Sequence, residues 1–368
     1  MTTTQIEIQL IAAVVAAACA LPGVFLVLRR MAMMSDAISH TVLLGIVLGF
    51  FLVRSLDSPL LIIAATIMGV VTVSLVELIN RTGLVKQDAA IGLVFPFLFS
   101  IAVILISRFA SGIHLDADAV LLGELAFAPF DRIPFLGLDL PRSLVIMSLI
   151  LLINLIFITL FYKELKLATF DAGLAATLGL SPALIHYGLM TLVSITTVGA
   201  FDAVGSILVV ALMIAPPATA YLLTDRLPRL LGLSVLIGIA SGIGGYWLAR
   251  SLDANIAGSM ATMSGVFFLL GLLFAPNRGA VALILRRQRQ RWEFAQTALT
   301  IHIMNHEDLP DAADECRVEH LTEHLHWEHD FADRVVKRAQ HNGLISVRGP
   351  RLNLTNAGRV VAQEALVG

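Results

Sequence analysis

Long apolar runs, separated by short clusters of Arg, Lys and Asp, dominate the chain as far as Leu285. A helix needs about 20 mostly apolar residues to cross a bilayer. Runs of that kind lie near 8–28, 37–53, 60–79, 89–107, 142–162, 184–200, 204–223, 230–249 and 257–275, so the pattern predicts about nine transmembrane helices. The sixth and seventh are separated by only a few residues around Phe201-Asp202, and read as one broken helix or a tight hairpin. Gly199, Gly205, Pro216 and Pro217 predict irregular backbone there. Such backbone is tolerated at membrane depth only where protein or a wet cavity covers it. After Leu285 the pattern changes to Arg286-Arg287-Gln288-Arg289-Gln290-Arg291 and then a polar tail rich in His and acids. Two units are expected: a membrane bundle over 1–285 and a water-soluble unit over 286–368.

Composition agrees. Hydrophobic residues make up 57% of the 368 and charged residues 14%, with mean hydropathy +0.85. A soluble domain carries about 25% charged residues. Cys19 and Cys316 fall in different units, which excludes a disulfide framework. The first run has no basic segment before it and reads as a retained helix, not a cleaved signal. Charge sets orientation. Arg29-Arg30, Arg81 with Lys86, Lys163 with Lys166, Arg226 with Arg229, and Arg278 with Arg286-Arg287 occupy alternate loops. The positive-inside rule puts those loops, and hence the tail, in the cytoplasm.

Two loops are long. The outer one, Arg108 to Pro141, contains Asp118–Phe127, expected as a short interfacial or re-entrant helix. In the inner one, Lys163 to Ala183, Asp171 is placed to cap a short helix of small residues and Gly179 to end it. Such a helix suits docking into another protein's cleft, or is a connector.

Candidate chemistry begins at Ser35-Asp36-Ala37-Ile38-Ser39-His40. Asp36 and His40 are four apart and share a helix face. A carboxylate and an imidazole suit a divalent first-row cation, although a pair that only ties helices together fits the spacing equally. Ionisable groups in a span face a cavity or a partner. Asp202 sits between two apolar runs, and Glu124 lies in Leu121-Leu122-Gly123-Glu124; each reads as a pathway residue or a solvated acid. His114, Asp116 and Asp118 read as a weak external cation site or, more plainly, as solvated outer-loop groups. The chain has no Gly-x-x-x-x-Gly-Lys-Ser/Thr phosphate loop, no hydrolytic triad and no His-Glu-x-x-His motif. An enzyme is the weaker class.

In order, these segments resemble the membrane permeases of bacterial manganese/zinc/iron ABC importers. The matching stretches are Gly23–Arg30 with Met33–His40 and Leu44-Gly45-Ile46, then Lys86–Leu93, Leu121–Glu124, the Lys163–Gly179 loop, and Val204–Ala220. The resemblance implies a polytopic all-α bundle of the type II ABC importer permease class. It implies a cytoplasmic ATPase dimer, an extracytoplasmic metal-binding protein, and a second permease, identical or paralogous. Asp36 and His40 match the family's Asp-x-x-x-His and are the best candidates to touch the transported Mn2+, Fe2+ or Zn2+, manganese first. Glu124 and Asp202 transfer less directly, since the family often has Gln near Asp202. Phe170, Asp171, Ala175 and Gly179 match the loop that couples to the ATPase. The resemblance places the chain in the bacterial cytoplasmic membrane, with no covalently bound cofactor.

The tail reads as three helices, a hairpin turning at Gly349-Pro350, and a last helix from Ala357 to Leu366. This resembles a small α+β winged helix of the metal-dependent, diphtheria-toxin-repressor type. From Trp292 onward 12 acids face 7 bases, which disfavours DNA binding. His320 and His324 share a helix face and form a possible tail metal site; a polar face without a ligand is the plainer reading. A membrane-tethered metal-responsive regulator acting through this tail is the alternative function.

Overall fold

The computed structural model describes residues 2–54, 58–109, 125–135, 137–307, 309, 315–349 and 351–367. They divide into two compact units, Met1–Gly279 and Ala280–Gly368. In the first, α1 (Thr3–Leu28), α2 (Met33–Val53), α3 (Pro59–Arg81) and α4 (Gln87–Phe109) lead to a short antiparallel hairpin, β1 (Arg132–Phe135) and β2 (Leu138–Pro141). Then follow α5 (Arg142–Leu160), the short α6 (Tyr162–Phe170) and α7 (Ala172–Thr177), the long α8 (Pro182–Leu223), α9 (Leu227–Leu252) and α10 (Ile256–Phe274). Many starts are written locally. Thr2 and Gln5 form a capping box on α1, and Ser58, Ser181 and Asn255 cap α3, α8 and α10.

Eight of these helices are long and apolar enough to cross a membrane. The count of about nine segments is reached because α8 is two helices. At Gly205 the backbone takes φ 77°, ψ 164°, a region in practice open only to glycine. The contacts of α1 show that the chain reverses there. Arg29, just past the end of α1, meets His186. Asn154 joins Ala18 of α1 to Thr196. Gly23 lies against the Met213 carbonyl and Pro217. From 186 to 196 the contact therefore climbs α1, and from 196 to 217 it descends again. A straight helix of 42 residues would be about 63 Å long, twice the apolar thickness of a bilayer. The break lies at Gly205, a few residues beyond the Phe201-Asp202 stretch where the sequence suggests it.

α1 is the most enclosed span, packed by α5, α8 and α9. Beside the large Ile11, Phe25 and Leu26, its buried residues include the smaller Ala12, Val15, Ala16, Cys19 and Val24, and small residues let helix backbones approach closely in lipid. Polar groups reinforce the packing. Asn154 Nδ2 donates to the Ala18 carbonyl at 2.8 Å and to Thr196 Oγ1 at 3.0 Å. Thr72 donates to Thr41 at 2.8 Å, tying α2 to α3.

The second unit contains α11 (Ala280–His306), α12 (Val318–His324), α13 (His329–His341), the antiparallel pair β3 (Ile345–Arg348) and β4 (Arg351–Leu354), and α14 (Asn356–Val367). The basic Arg286–Arg291 run lies inside α11. α13 buries Ala332, Val335, Val336 and Ala339, a single stripe at helical spacing. These pack with Leu299, Ile303, Cys316, Leu321, Ile345 and Leu352 into a core separate from that of the bundle. Trp292 stacks on Phe331 with centroids 5.2 Å apart.

Candidate functional site

Asp36 lies in the first turn of α2 and His40 one turn further on. His40 Nε2 is 3.6 Å from Asp36 Oδ1, and the two side chains are 32% and 34% exposed. The His40 ring stacks on Phe95 at 5.5 Å and meets Phe99 edge-on at 5.8 Å. α4 therefore holds the imidazole on the Asp36 face, an orienting contact that spacing along α2 does not show. The pair sits near the Arg29-Arg30 end of the span, off its midpoint. The rest of the chain covers it only partly. In a membrane-spanning segment an ionisable pair left open in this way needs a wet path or a partner.

Asp202 is exposed, near the top of the first half of α8. It lines a cavity of about 240 Å3 with Arg142, Ser58, Leu43, Ile46 and Phe201. Asp36 and His40 are not among the residues lining that cavity, so the structure does not bring Asp202 to the pair. Glu124 lies outside the described residues, as do His114, Asp116 and Asp118 and most of the helix expected over Asp118–Phe127.

The loop between α5 and α8 is built as its residues suggest. The Asp171 carboxylate accepts from the Leu174 N–H at 2.9 Å and caps α7. Gly179 adopts φ 82°, and the Gly179 and Leu180 N–H groups donate back to the Ala176 and Ala175 carbonyls at 3.1 Å each. This is a Schellman-type end. Ala175 is fully buried, whereas Phe170, Leu174 and Leu178 are 61%, 48% and 64% exposed. The result is a short, rigidly capped helix with an open apolar face. Arg29 Nε donates to Thr169 Oγ1 at 3.1 Å, anchoring the loop to the end of α1.

A second polar cluster in the bundle escaped the sequence reading. Glu77, Asn80, Gln87 and His186 line a cavity of about 200 Å3 with Met31 and Met34. His186 Nε2 stands 3.8 Å from Glu77 Oε2, and Arg29 Nη1 reaches His186 Nδ1 at 3.4 Å. Glu77 and His186 are 109 residues apart in the chain, and no local spacing links them.

In the tail, His320 and His324 share a face as expected, with ring centroids 5.1 Å apart. Both face Glu315. His302 and His306 of α11 join them, His302 lying 4.7 Å from His306 and 5.8 Å from His324. Burial holds the His302 imidazole below its ordinary range. These two histidines carry the same four-residue spacing as His320 and His324, and that was the available signal.

The family model described as ABC 3 transport family matches residues 3–275. The zinc transport system membrane protein TroD of Treponema pallidum is 50% identical over 360 residues, 98% of each chain. The manganese transport system membrane protein MntD of Bacillus subtilis is 46% identical over 282 residues, 76% of this chain and 95% of the relative. Among solved structures, PsaBC from Streptococcus pneumoniae in complex with Fab aligns with TM-score 0.64 and 29% identity, over 77% of this chain and 96% of the matched one.

Proposed function

The chain belongs to the ABC 3 transport family, and we propose that it is the membrane-spanning permease of an ATP-driven importer of divalent transition-metal ions. The observation that carries the reading is the Asp36–His40 pair: a carboxylate and an imidazole one helical turn apart, in a span, oriented by Phe95 and incompletely covered. Relatives named for zinc and manganese transport support the cargo class. An oxygen and a nitrogen donor accept Mn2+, Fe2+ and Zn2+ alike.

The mechanism follows from what these residues do. The ion is handed over at the outer face by an extracytoplasmic binding protein. Asp36 supplies negative charge in a low-dielectric bundle, where an unescorted dication is costly. His40 supplies an imidazole nitrogen whose ring position is fixed by the two phenylalanines. A second permease, identical or paralogous, covers the open face of the pair and completes the coordination. With only two donors from this chain, the ion is held weakly enough for release, as conduction requires, once the second permease withdraws. The α6–α7 loop presents Phe170, Leu174 and Leu178 to a cytoplasmic ATPase dimer. Its caps make α7 stiff enough to transmit movement, and Arg29 links that loop to α1. The chain works in the bacterial cytoplasmic membrane, with the second unit on the ATPase side.

The test is uptake of radioactive Mn2+, with Fe2+ and Zn2+ as competitors, in vesicles that hold the chain, its ATPase and its binding protein. Uptake is expected only with a hydrolysis-competent ATPase. Equal uptake with an inactive ATPase, or none of any of the three metals, refutes the reading.

A further inference from the structure

The second unit holds five metal-ligating side chains that the transport reading leaves unused. Glu315 is nearly enclosed, with 14% of its side chain exposed. Its Oε2 lies 3.4 Å from His320 Nδ1 and 3.5 Å from His324 Nδ1. A charge-assisted hydrogen bond would be shorter, about 2.7–2.9 Å. Indeed Glu315 Oε2 and His320 Nδ1 are both buried and without a hydrogen-bond partner among the described residues. Ligands bound at 2.0–2.1 Å around a tetrahedral ion are about 3.3–3.4 Å apart. The observed separations match that edge.

The neighbouring groups add to the site. His302 Nε2 donates to the Glu315 carbonyl at 3.2 Å. This bond fixes the tautomer and leaves Nδ1 with its lone pair, the way outer-shell contacts orient ligating imidazoles. His306 Nδ1 is also buried and unpartnered among the described residues. One nitrogen from each of His302, His306 and His324 lies within 4.8 Å of the others, and the same holds for Glu315, His320 and His324. His324 is common to both groups.

From this geometry we infer that Glu315, His320 and His324, with His302 and His306 alongside, form a binding site for a first-row transition-metal ion in the second unit, separate from the transport pathway. A set of one carboxylate and several imidazoles favours Zn2+ over the harder Mn2+. Binding gives the buried Glu315 Oε2 a partner at bonding distance and joins the last turns of α11 to α12. Metal thereby clamps two helices of this unit.

The experiment uses the full chain in detergent, carrying Asp36→Ala and His40→Ala so that the pathway pair contributes nothing. It is equilibrated with micromolar Zn2+, desalted, and analysed for retained metal by mass spectrometry. The expected result is one Zn2+ retained per chain, lost on adding His324→Ala and weakened at least about 10-fold by Glu315→Gln. Zn2+ is also expected to raise the thermal midpoint of the second unit's transition, and to leave it unchanged with His324→Ala. Circular dichroism establishes that the variant is folded, and His306→Ala serves as a second variant where it is not. No retained Zn2+ in the pathway-null chain, or the same amount with His324→Ala and His306→Ala, overturns the inference. Neither result bears on uptake, which is measured separately.

Discussion

His40 Nε2 stands 3.6 Å from Asp36 Oδ1 on a face of α2 that the rest of the chain leaves one-third open. Two ionisable groups in that position, with an aromatic ring fixing one of them, are what the proposed metal pathway rests on. Replacing either by Ala is expected to reduce metal uptake by about 10–100-fold while the protein still folds, since neither side chain fills the core. Radiometal uptake in vesicles checks this. Normal transport by Asp36→Ala would remove the pair from the pathway.

Phe95 holds the His40 ring at 5.5 Å. Phe95→Ala is therefore expected to lower uptake by loosening the imidazole, with Phe95→Tyr or Phe95→Trp restoring part of it. Dependence of uptake rate on metal concentration distinguishes this from a loss of folded protein.

Asp171 acts on α7 through a cap to the Leu174 N–H. Asp171→Asn keeps an acceptor and should transport nearly as well as the parent. Asp171→Ala loses about 1 kcal/mol of helix stability and should uncouple hydrolysis from uptake. Comparing ATPase rate with metal uptake in the same vesicles reads the difference. Equal behaviour of the two variants would show that capping is not what the aspartate contributes.

Gly205 carries the reversal of α8 at φ 77°, ψ 164°. A Cβ there costs about 1–3 kcal/mol. Gly205→Ala should lower the thermal midpoint in detergent without changing metal affinity at the Asp36–His40 pair. An unchanged midpoint would mean that the reversal is not held by this conformation.

MntD is matched over 95% of its own length by only 282 residues of this chain. A chain ending at Gly279 should therefore keep most of its uptake. Loss of uptake on that truncation, with the bundle still folded, would favour a regulatory rather than accessory role for Ala280–Gly368.

The apolar runs determined by themselves that the chain is a bundle of membrane spans with a polar unit after it. Lipid imposes that reading, because each span must satisfy its own backbone and expose apolar side chains over a fixed length. The caps at Asp171 and Gly179 and the shared faces of Asp36 with His40 and of His320 with His324 were equally legible, since all depend on neighbours within four or five residues. Only the tertiary structure decided the rest. It placed the reversal at Gly205, because a glycine's positive φ is one option among several until neighbouring helices require it. It set Phe95 behind His40, Arg29 between Thr169 and His186, and Glu315 with His302 and His306 beside the tail histidines. Those residues come from different helices, and a contact between helices depends on how the helices pack, which periodicity along one helix does not encode.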